Sequence, residues 1–386
     1  MKVEQIYSIM NTVTNELLGD SVVVNEDLSN IVELGDTFLN TVGVDNYVKS
    51  LTDHIGRVIF VDRVYTGRLP QVLRDGWEYG SILEKVSTKL PEAVENETWE
   101  LENGQSYDPF IFHTPEVVTK FYNQRVTFEI DMSFTEKQVK SSFSNVTQLN
   151  AFLSMIRTSI ENSMTVKMDG LIMRTINNMI AETLYDEYSG GVYTGGSGVR
   201  AVNLLYLYNQ TVSAGDALTA SEFMTSPAAI RFSISIFKNY IDRLRVMSTR
   251  FNVGGQERYT PTDRLNVVML SEFKNAADVF LQSGTFNDQY TALPESETVV
   301  YWQGSGLDYG FSSTSKIDIK TPDNHTVSTT GILGVMFDRD ALGVSNLDRR
   351  VTSQYNAKAE FFNEFWKFEC GAFNDLNENF VVFFVA

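Results

Sequence analysis

The longest regular pattern of apolar positions in the chain runs through residues 145–184. Apolar side chains recur there at steps of three and four, which places them on one face of an α-helix. The positions are Leu149, Leu153, Ile156, Ile160, Met164, Met168, Leu171 and Met179, with Thr175 in the same stripe. A helix of this length would be roughly 60 Å long, about twice the diameter of a small domain. The pattern therefore predicts a spine helix, with Gly170 as a position that could kink or break it.

A change to alternating apolar and polar positions indicates extended strands at about residues 80–132. The alternation runs up to an Asn-Gly pair, the strongest short-range signal for a hairpin turn, and resumes after it. The positions concerned are Trp99, Leu101, Glu102, Asn103, Gly104, Phe110 and Phe112. A two-stranded hairpin of this length is marginal by itself. The sequence thus predicts a long hairpin with its tip near Asn103 and Gly104, lying on another part of the protein or on another molecule.

A helix-and-sheet body is predicted after the glycine-rich segment 189–198, whereas the first sixty residues predict short amphipathic helices that form an arm. Ser226 followed by Pro227 is typical of a helix start, and an apolar stripe continues from there to Leu244. The apolar run 265–270 predicts a central buried strand, after which Ser271 caps a helix to about Leu281. Further strands are predicted at about 298–302, 315–319, 332–337, 358–373 and 380–385. The fold class is therefore α+β.

Charge and hydropathy restrict the partners of the chain. Forty-nine acidic and thirty-one basic residues give a net charge of −18 over 386 residues. This balance argues against tightly held nucleic acid, because such interfaces use clustered Lys and Arg. No window resembles a membrane span or a signal peptide, so no membrane partner is expected. Five glutamates form an acidic block at residues 92–102: Glu92, Glu95, Glu97, Glu100 and Glu102. Such a block is more typical of a solvated or edge-protecting segment than of a surface that binds a specific partner.

No motif in the sequence indicates catalysis or a cofactor. The three histidines are far apart, and HExxH, CxxC and GxSxG patterns are absent. Cys370 lies in an alternating apolar segment, which favours a small buried thiol over a reactive one. Asp338 and Asp340 could offer carboxylates to a hard cation, but Arg339 between them favours an internal ion pair or a helix N-cap. We therefore expect a protein that is not an enzyme and has no cofactor, metal or catalytic residue.

The C-terminal segment 331–386 resembles the same region of major capsid proteins of tailed bacteriophages. The resemblance is carried by Phe337, Asp338, Arg339, Asp340, Ala341, residues 352–356, Asn363, Trp366, Gly371 and residues 377–380, which include Asn379. The predicted order of elements is similar as well. Hong Kong 97-like subunits have an N-terminal arm, an extended hairpin called the E-loop, a peripheral domain with a long spine helix, and an axial domain with a central sheet flanked by helices.

By this resemblance the chain has the Hong Kong 97-like capsid fold, divided into five segments. They are the arm at 1–79, the E-loop at 80–132, the peripheral domain with the spine helix at 133–199, the axial domain at 200–345, and strands that return to the peripheral domain at 346–386. Contacts between subunits are expected from E-loop residues Trp99, Glu102, Asn103 and Gly104. The C-terminal motif is expected to be structural.

The resemblance implies a major capsid protein that self-assembles through pentamers and hexamers into an icosahedral or prolate head shell around double-stranded DNA. Its implied partners are further copies of itself, a portal protein, a separate scaffolding protein and packaged DNA that it does not bind specifically. It would be assembled in the host bacterial cytoplasm and located in the virion. Two alternatives remain at this point: an encapsulin-like nanocompartment shell, and a secreted carbohydrate-active protein.

Overall fold

The structure is a computed structural model, which describes residues 67, 69–74, 83–95, 103–104, 110–135, 146–282, 296–300, 302 and 316–386. The expected arm, apart from 67 and 69–74, and the E-loop residues Trp99 and Glu102 lie outside the described residues. The chain divides into two compact units. The first contains Met1–Tyr65, Ile130–Ser163 and Val351–Trp366, and the second contains Thr66–Glu129, Met164–Arg350 and Lys367–Ala386.

Helices and strands both contribute substantially to the described residues, which agrees with the α+β prediction. The helices are α1 (Val146–Glu187), α2 (Leu204–Asn209), α3 (Ala220–Phe223), α4 (Pro227–Leu244) and α5 (Ser271–Gln282). The strands are β1 (Leu73–Arg74), β2 (Leu83–Thr88), β3 (Val117–Tyr122), β4 (Arg125–Thr135), β5 (Ala201–Asn203), β6 (Leu265–Leu270), β7 (Glu297–Val299), β8 (Lys316–Lys320), β9 (Thr326–Thr330), β10 (Ile332–Asp338), β11 (Leu342–Asn356), β12 (Phe361–Asn374) and β13 (Phe380–Phe384).

The predicted spine helix is confirmed. Helix α1 is continuous over 42 residues, and Gly170 does not interrupt it. In the second unit most of the predicted stripe is buried in the core, with Leu171 and Met179 almost completely covered. The Thr175 hydroxyl on the same stripe donates a hydrogen bond of 2.7 Å to the carbonyl of Leu171. This polar group is thereby satisfied inside the buried face, as a buried hydroxyl requires.

The second unit is built around a five-stranded sheet with the order β5-β13-β10-β6-β7. Strand β10 runs antiparallel to β13 and β6, while β5 and β7 pair in parallel with their neighbours. Every residue of β10 and of β13 is buried, as in strands with both faces covered. Phe237 of α4 packs on Phe383 of β13, with ring centroids 4.2 Å apart. The predicted central sheet with flanking helices is therefore present.

The Ser-Pro start predicted for α4 is confirmed, and a helix follows β6 as predicted. Helix α4 begins at Pro227, and the Ser226 hydroxyl accepts a hydrogen bond from the Ala229 amide, so Ser226 is the N-cap. Strand β6 leads directly into α5, which begins at Ser271. The β6–α5 connection places one of the two flanking helices at the end of a central strand.

The expectation for the C-terminal segment 346–386 is corrected in one respect. Strand β12 lies in a four-stranded sheet with the order β1-β11-β12-β4, but β13 pairs with β10 and β5 in the central sheet. The segment therefore does not return as a whole to one sheet. All five residues of β13 are apolar and buried, and such a strand is stable where both of its faces are covered.

The predicted hairpin is present, but its paired strands lie nearer its base than the sequence suggested. Strands β2 and β3 form an antiparallel pair. Asn103 and Gly104 form a turn, and Gly104 has the positive φ of 100° that glycine adopts without strain. Phe110 and Phe112, expected on the returning strand, belong to no strand and are 90% and 85% exposed.

A candidate assembly surface on the β2–β3 hairpin

The β2–β3 hairpin has one half-buried face and one exposed face, because burial alternates residue by residue along both strands. Val86, Val117 and Phe121 lie on the exposed face and are 58%, 50% and 64% exposed. Val86 is opposite Thr119 and Val117 is opposite Thr88, so the apolar side chains share this face. Contiguous apolar surface of this kind marks interaction sites on soluble proteins. We call Val86, Val117 and Phe121 the apolar hairpin face.

Further apolar side chains are exposed in the connection between β2 and β3. They are Leu90, Val94, Phe110, Ile111 and Phe112. Single exposed apolar residues are normal on protein surfaces, but several within one connection are not explained by the fold of the monomer. The connection therefore adds to the surface that a partner could cover.

The half-buried face of the hairpin carries two like charges in direct opposition. Lys85 of β2 is paired with Lys120 of β3, and such pairs destabilise a sheet unless the charges are compensated. The Asp375 carboxylate compensates both: its Oδ2 accepts from the Lys85 Nζ at 2.6 Å and its Oδ1 from the Lys120 Nζ at 3.0 Å. Asp375 lies between β12 and β13, so the base of the hairpin is fixed to that connection.

A second carboxylate extends the same cluster. The Glu378 Oε1 accepts from the Lys85 Nζ at 2.8 Å and from the Arg258 Nε at 3.3 Å. We call Lys85, Lys120, Asp375, Glu378 and Arg258 the root network. The Asp375 side chain is 2% exposed. Its burial opposes ionisation, but Lys85, Lys120 and the Asn377 amide outweigh that effect and hold the pKa of Asp375 below its ordinary value.

A separate group of side chains, outside the apolar hairpin face and the root network, connects the β8–β9 hairpin to α1. The His325 Nδ1 lies 2.9 Å from the Glu182 Oε2, and the His325 ring stacks on Tyr185 with centroids 3.7 Å apart and planes inclined by 9°. The partners of His325 are remote in the sequence, since Glu182 is 143 residues away. No spacing motif could have revealed this contact.

Most of the C-terminal motif residues meet at the end of β10. Phe337 stacks on Phe380 of β13, with ring centroids 5.7 Å apart. The Asp338 amide donates to the Asn379 carbonyl at 3.0 Å, and the Asn379 Nδ2 donates to the Thr260 Oγ1 at 3.1 Å. These contacts fix the β10–β11 turn to the start of β13.

Of the two expectations for Asp338, Arg339 and Asp340, an ion pair is present at Asp340 and the helix N-cap is wrong. They form a turn between two strands, in which the Asp338 side chain accepts from the Asp340 amide at 2.9 Å and the Asp338 carbonyl accepts from the Ala341 amide at 2.9 Å. The ion pair of Asp340 is with Arg264, at 3.0 Å, and not with Arg339. A helix N-cap is excluded because strand β11 follows.

The other two motif residues lie on β12 in the first unit. The Asn363 Oδ1 accepts a hydrogen bond of 2.6 Å from the Ser133 hydroxyl of β4. The Trp366 indole Nε1 donates to the Glu364 carboxylate at 3.2 Å. Asn363 therefore connects β12 to β4, and Trp366 orients the Glu364 side chain.

Cys370 is buried, as predicted. Burial disfavours the thiolate and raises the pKa of this thiol to about 11. Among the described residues, no group of three or more His, Cys, Asp or Glu side chains is placed to hold a metal ion. None of the helices in the described ranges is both long and apolar enough to cross a membrane.

The fold is that of phage capsid proteins. It is similar to the capsid structure of Staphylococcus phage Andhra, with a TM-score of 0.52 and 10% identity over 86% of this chain and 87% of that chain. It is also similar to a chain in the structure of the head fiber and inner core protein gp22 of bacteriophage P68, with a TM-score of 0.50 and 8% identity over 86% of this chain and 88% of that chain. At these identities the likeness concerns the fold alone.

The chain belongs to the Phi29-like phage major capsid protein family, whose sequence profile matches residues 10–384. It is 26% identical over 196 residues to the major capsid protein of Bacillus phage GA-1, a match that covers 47% of this chain and 38% of that relative. The resemblance to phage major capsid proteins is thereby confirmed. Family membership favours this prediction over the nanocompartment and carbohydrate-active alternatives, and the family consists of structural proteins.

Proposed function

We propose that the chain self-assembles through pentamers and hexamers into an icosahedral or prolate phage head shell that encloses double-stranded DNA. The observation that carries the proposal is the apolar hairpin face, which is exposed although it contains Val86, Val117 and Phe121. Burying apolar surface contributes about 25 cal/mol per Å². In a closed ring each subunit gains this contribution from a neighbour, so contacts that are weak for one copy become stable in the assembly.

The length of the hairpin connection is compatible with a contact between subunits. Residues 89–116 separate β2 from β3, and a chain of this length that leaves and returns reaches at most about 45 Å from the base of the hairpin. That distance exceeds the size of the strand pair itself. We therefore propose that the segment 80–132 is the E-loop of a Hong Kong 97-like subunit and that Trp99, Glu102, Asn103 and Gly104 contact a neighbour.

The remaining segments receive the roles that the resemblance implies. Residues 1–79 would form the arm, 133–199 the peripheral domain and 200–345 the axial domain. The segment 346–386 departs from the implied role, because its strands β12 and β13 lie in different sheets. We propose no catalytic activity. Further partners are a separate scaffolding protein, a portal protein and packaged DNA without specific binding, with assembly in the host cytoplasm.

The net charge of −18 affects assembly and packaging. Like-charged subunits repel one another in low salt, whereas ionic strength near 0.1 M screens charges beyond about 10 Å. We therefore expect weaker assembly in low salt. An acidic lumen would let DNA slide without sticking, so purified shells should not bind free DNA tightly at moderate salt.

Removal of the apolar hairpin face tests the proposal. We compare the wild type with Val86→Ser/Phe121→Ser by sedimentation velocity and negative-stain electron microscopy, with and without a candidate scaffolding protein. The matched control is Val246→Ser/Val279→Ser, since both valines are exposed outside the hairpin. We expect rings or shells from the wild type and the control, and small folded species from the hairpin variant. Unchanged assembly of that variant would contradict the proposal.

A further inference from the structure

The tip of the β11–β12 hairpin, residues 348–362, is exposed on both of its faces. Every residue from Asp348 to Glu360 is exposed, although successive side chains of a strand point to opposite faces. The free edge of β11 is open at the tip as well in the described part of the chain, because β1 pairs with β11 only at Val344 and Ser345. An exposed edge strand is a place where other chains associate.

Three apolar side chains share one face of this tip. Val351 and Tyr355 are four residues apart on β11, so they point to the same face. The Phe362 ring lies against that of Tyr355, with centroids 4.6 Å apart. The three side chains are 49%, 45% and 40% exposed, and adjacent exposed apolar side chains of this kind mark an interaction surface. We call Val351, Tyr355 and Phe362 the apolar tip face.

Ring symmetry restricts what can cover the apolar hairpin face. A contact between identical surfaces is complete after two copies, whereas a ring of five or six needs one surface of each copy to meet a different surface of the next. In the proposed rings the apolar hairpin face must therefore meet a second surface that is itself apolar and exposed. The apolar tip face meets both conditions.

Charge favours the same pairing. Residues 83–122, which contain β2, β3 and their connection, include eight acidic and three basic residues, a local net charge of −5. Two such hairpins would repel each other, because like charges brought together disfavour an interface. Residues 348–362 include three basic and two acidic residues, a local net charge of +1. The tip can therefore receive the acidic hairpin without this repulsion.

We infer that the apolar hairpin face of one copy packs on the apolar tip face of the next copy around a ring. The inference rests on the proposed function and deepens it, because it names the surface of the neighbour that the hairpin covers. Three side chains per face are far fewer than the roughly 20–30 residues per side of a stable interface. The contact is therefore one part of the boundary between subunits and forms in the ring, not between two isolated copies.

Cross-linking of introduced cysteines tests the contact in the assembled protein. Thr119 is exposed on the same face of the hairpin as the apolar hairpin face, and Ser353 is exposed on the same face of β11 as the apolar tip face. Thr119→Cys/Ser353→Cys therefore keeps every apolar side chain, and it is treated after assembly with a short bismaleimide. The wild type gives the background, because Cys370 is buried. We expect a ladder of covalent species in denaturing gels that ends at five and six chains.

The matched control moves one cysteine to the other side of the same strand. Gln354 is exposed and points away from the apolar tip face, so Thr119→Cys/Gln354→Cys should lose the ladder. An equally strong ladder from this control would overturn the assignment of the face. Covalent dimers as the main product of Thr119→Cys alone, or of Ser353→Cys alone, would show contacts between identical surfaces and would overturn the inference.

The yield of assembly provides an independent measurement. Tyr355→Ser/Phe362→Ser should lower the ratio of assembled to free protein at least about tenfold, which corresponds to 1.4 kcal/mol, and circular dichroism checks that the variant is folded. Val351→Ser leaves the aromatic pair intact and replaces this variant if it does not fold. An unchanged yield would overturn the inference. Wild-type rings without a cross-link between hairpin and tip would overturn this contact alone, whereas a wild type that forms neither rings nor shells would overturn the proposed function with it.

Discussion

Lys85 and Lys120 lie directly opposite each other on β2 and β3, and the two oxygens of one carboxylate, that of Asp375, accept hydrogen bonds from both ammonium groups. Two opposed lysines alone would weaken the strand pair. The pairing therefore depends on an anion from the connection between β12 and β13. This relationship makes the base of the hairpin a part of the folded body, while the apolar hairpin face stays free for a partner.

Replacing Asp375 should destabilise the second unit. Breaking a fully buried ion pair costs about 3–5 kcal/mol, and because both lysines are partly exposed to solvent we discount this to about 1–3 kcal/mol for Asp375→Asn. Urea unfolding followed by circular dichroism measures the change. The matched control is Asp318→Asn, whose exposed pair with Lys316 at 3.6 Å should contribute less than about 1 kcal/mol. Equal effects of the two substitutions would contradict the role of the root network.

The contribution of Asp375 should depend on pH in the acid range. The pKa of Asp375 is lower in the folded protein than its ordinary value, so the unfolded chain binds the proton more readily. The stabilisation by Asp375 is therefore complete above the pKa of this residue in the unfolded chain, about 3.9. It is lost as the pH falls through the lower pKa of Asp375 in the folded protein. Urea unfolding at pH 7, 5, 4 and 3 should show a difference between wild type and Asp375→Asn that shrinks only below about pH 4. A constant difference would exclude this mechanism.

Gly331, between β9 and β10, should not tolerate alanine. Its φ is 76°, and an added Cβ would lie 2.2 Å from the carbonyl oxygen of Val385. The substitution combines backbone strain with a clash against main-chain atoms, so we expect a loss of more than about 2 kcal/mol. Thermal unfolding provides the measurement. Gly215→Ala is the control, because nothing lies within 4 Å of its added Cβ; a melting temperature for Gly331→Ala as high as for this control would be inconsistent with the packing.

Cys370 should be unreactive in the folded protein. Its thiol is buried and its pKa is raised to about 11, so only about one molecule in a thousand carries the thiolate at pH 8. Mass spectrometry after treatment with iodoacetamide should show little alkylation of the native protein and complete alkylation in urea. Rapid alkylation of the native protein would show that the thiol is accessible.

The elements that the sequence predicted are those with local signals. Helix α4 has a cap, a proline and an apolar stripe within one segment, and five of the six residues of β6 are apolar. Strand β11 was missed because Asp348, Arg349 and Arg350 interrupt any apolar pattern in it. Strand β9 was missed as well, because its sequence TVSTT contains a single apolar residue and shows no alternation.

The contacts of the candidate assembly surface could not be predicted in the same way. Lys85 meets Asp375 across 290 residues and Glu378 across 293 residues, and no periodicity links such positions. The sequence did identify the hairpin and its turn at Asn103 and Gly104. It assigned Phe110 to a strand because apolar and polar positions alternate there, but alternation produces a strand only where a neighbouring strand completes the pairing. The structure places Phe110 in a turn.

A cryo-electron microscopy map of shells assembled from the purified protein tests the central claim most directly. We predict rings of five and six subunits in which Val86, Val117 and Phe121 of each hairpin are covered by the neighbouring subunit. The opposite result is a uniform population of monomers or dimers under every salt and scaffolding condition, or shells in which each hairpin contacts only its own subunit. Either of these outcomes would contradict assembly through the apolar hairpin face.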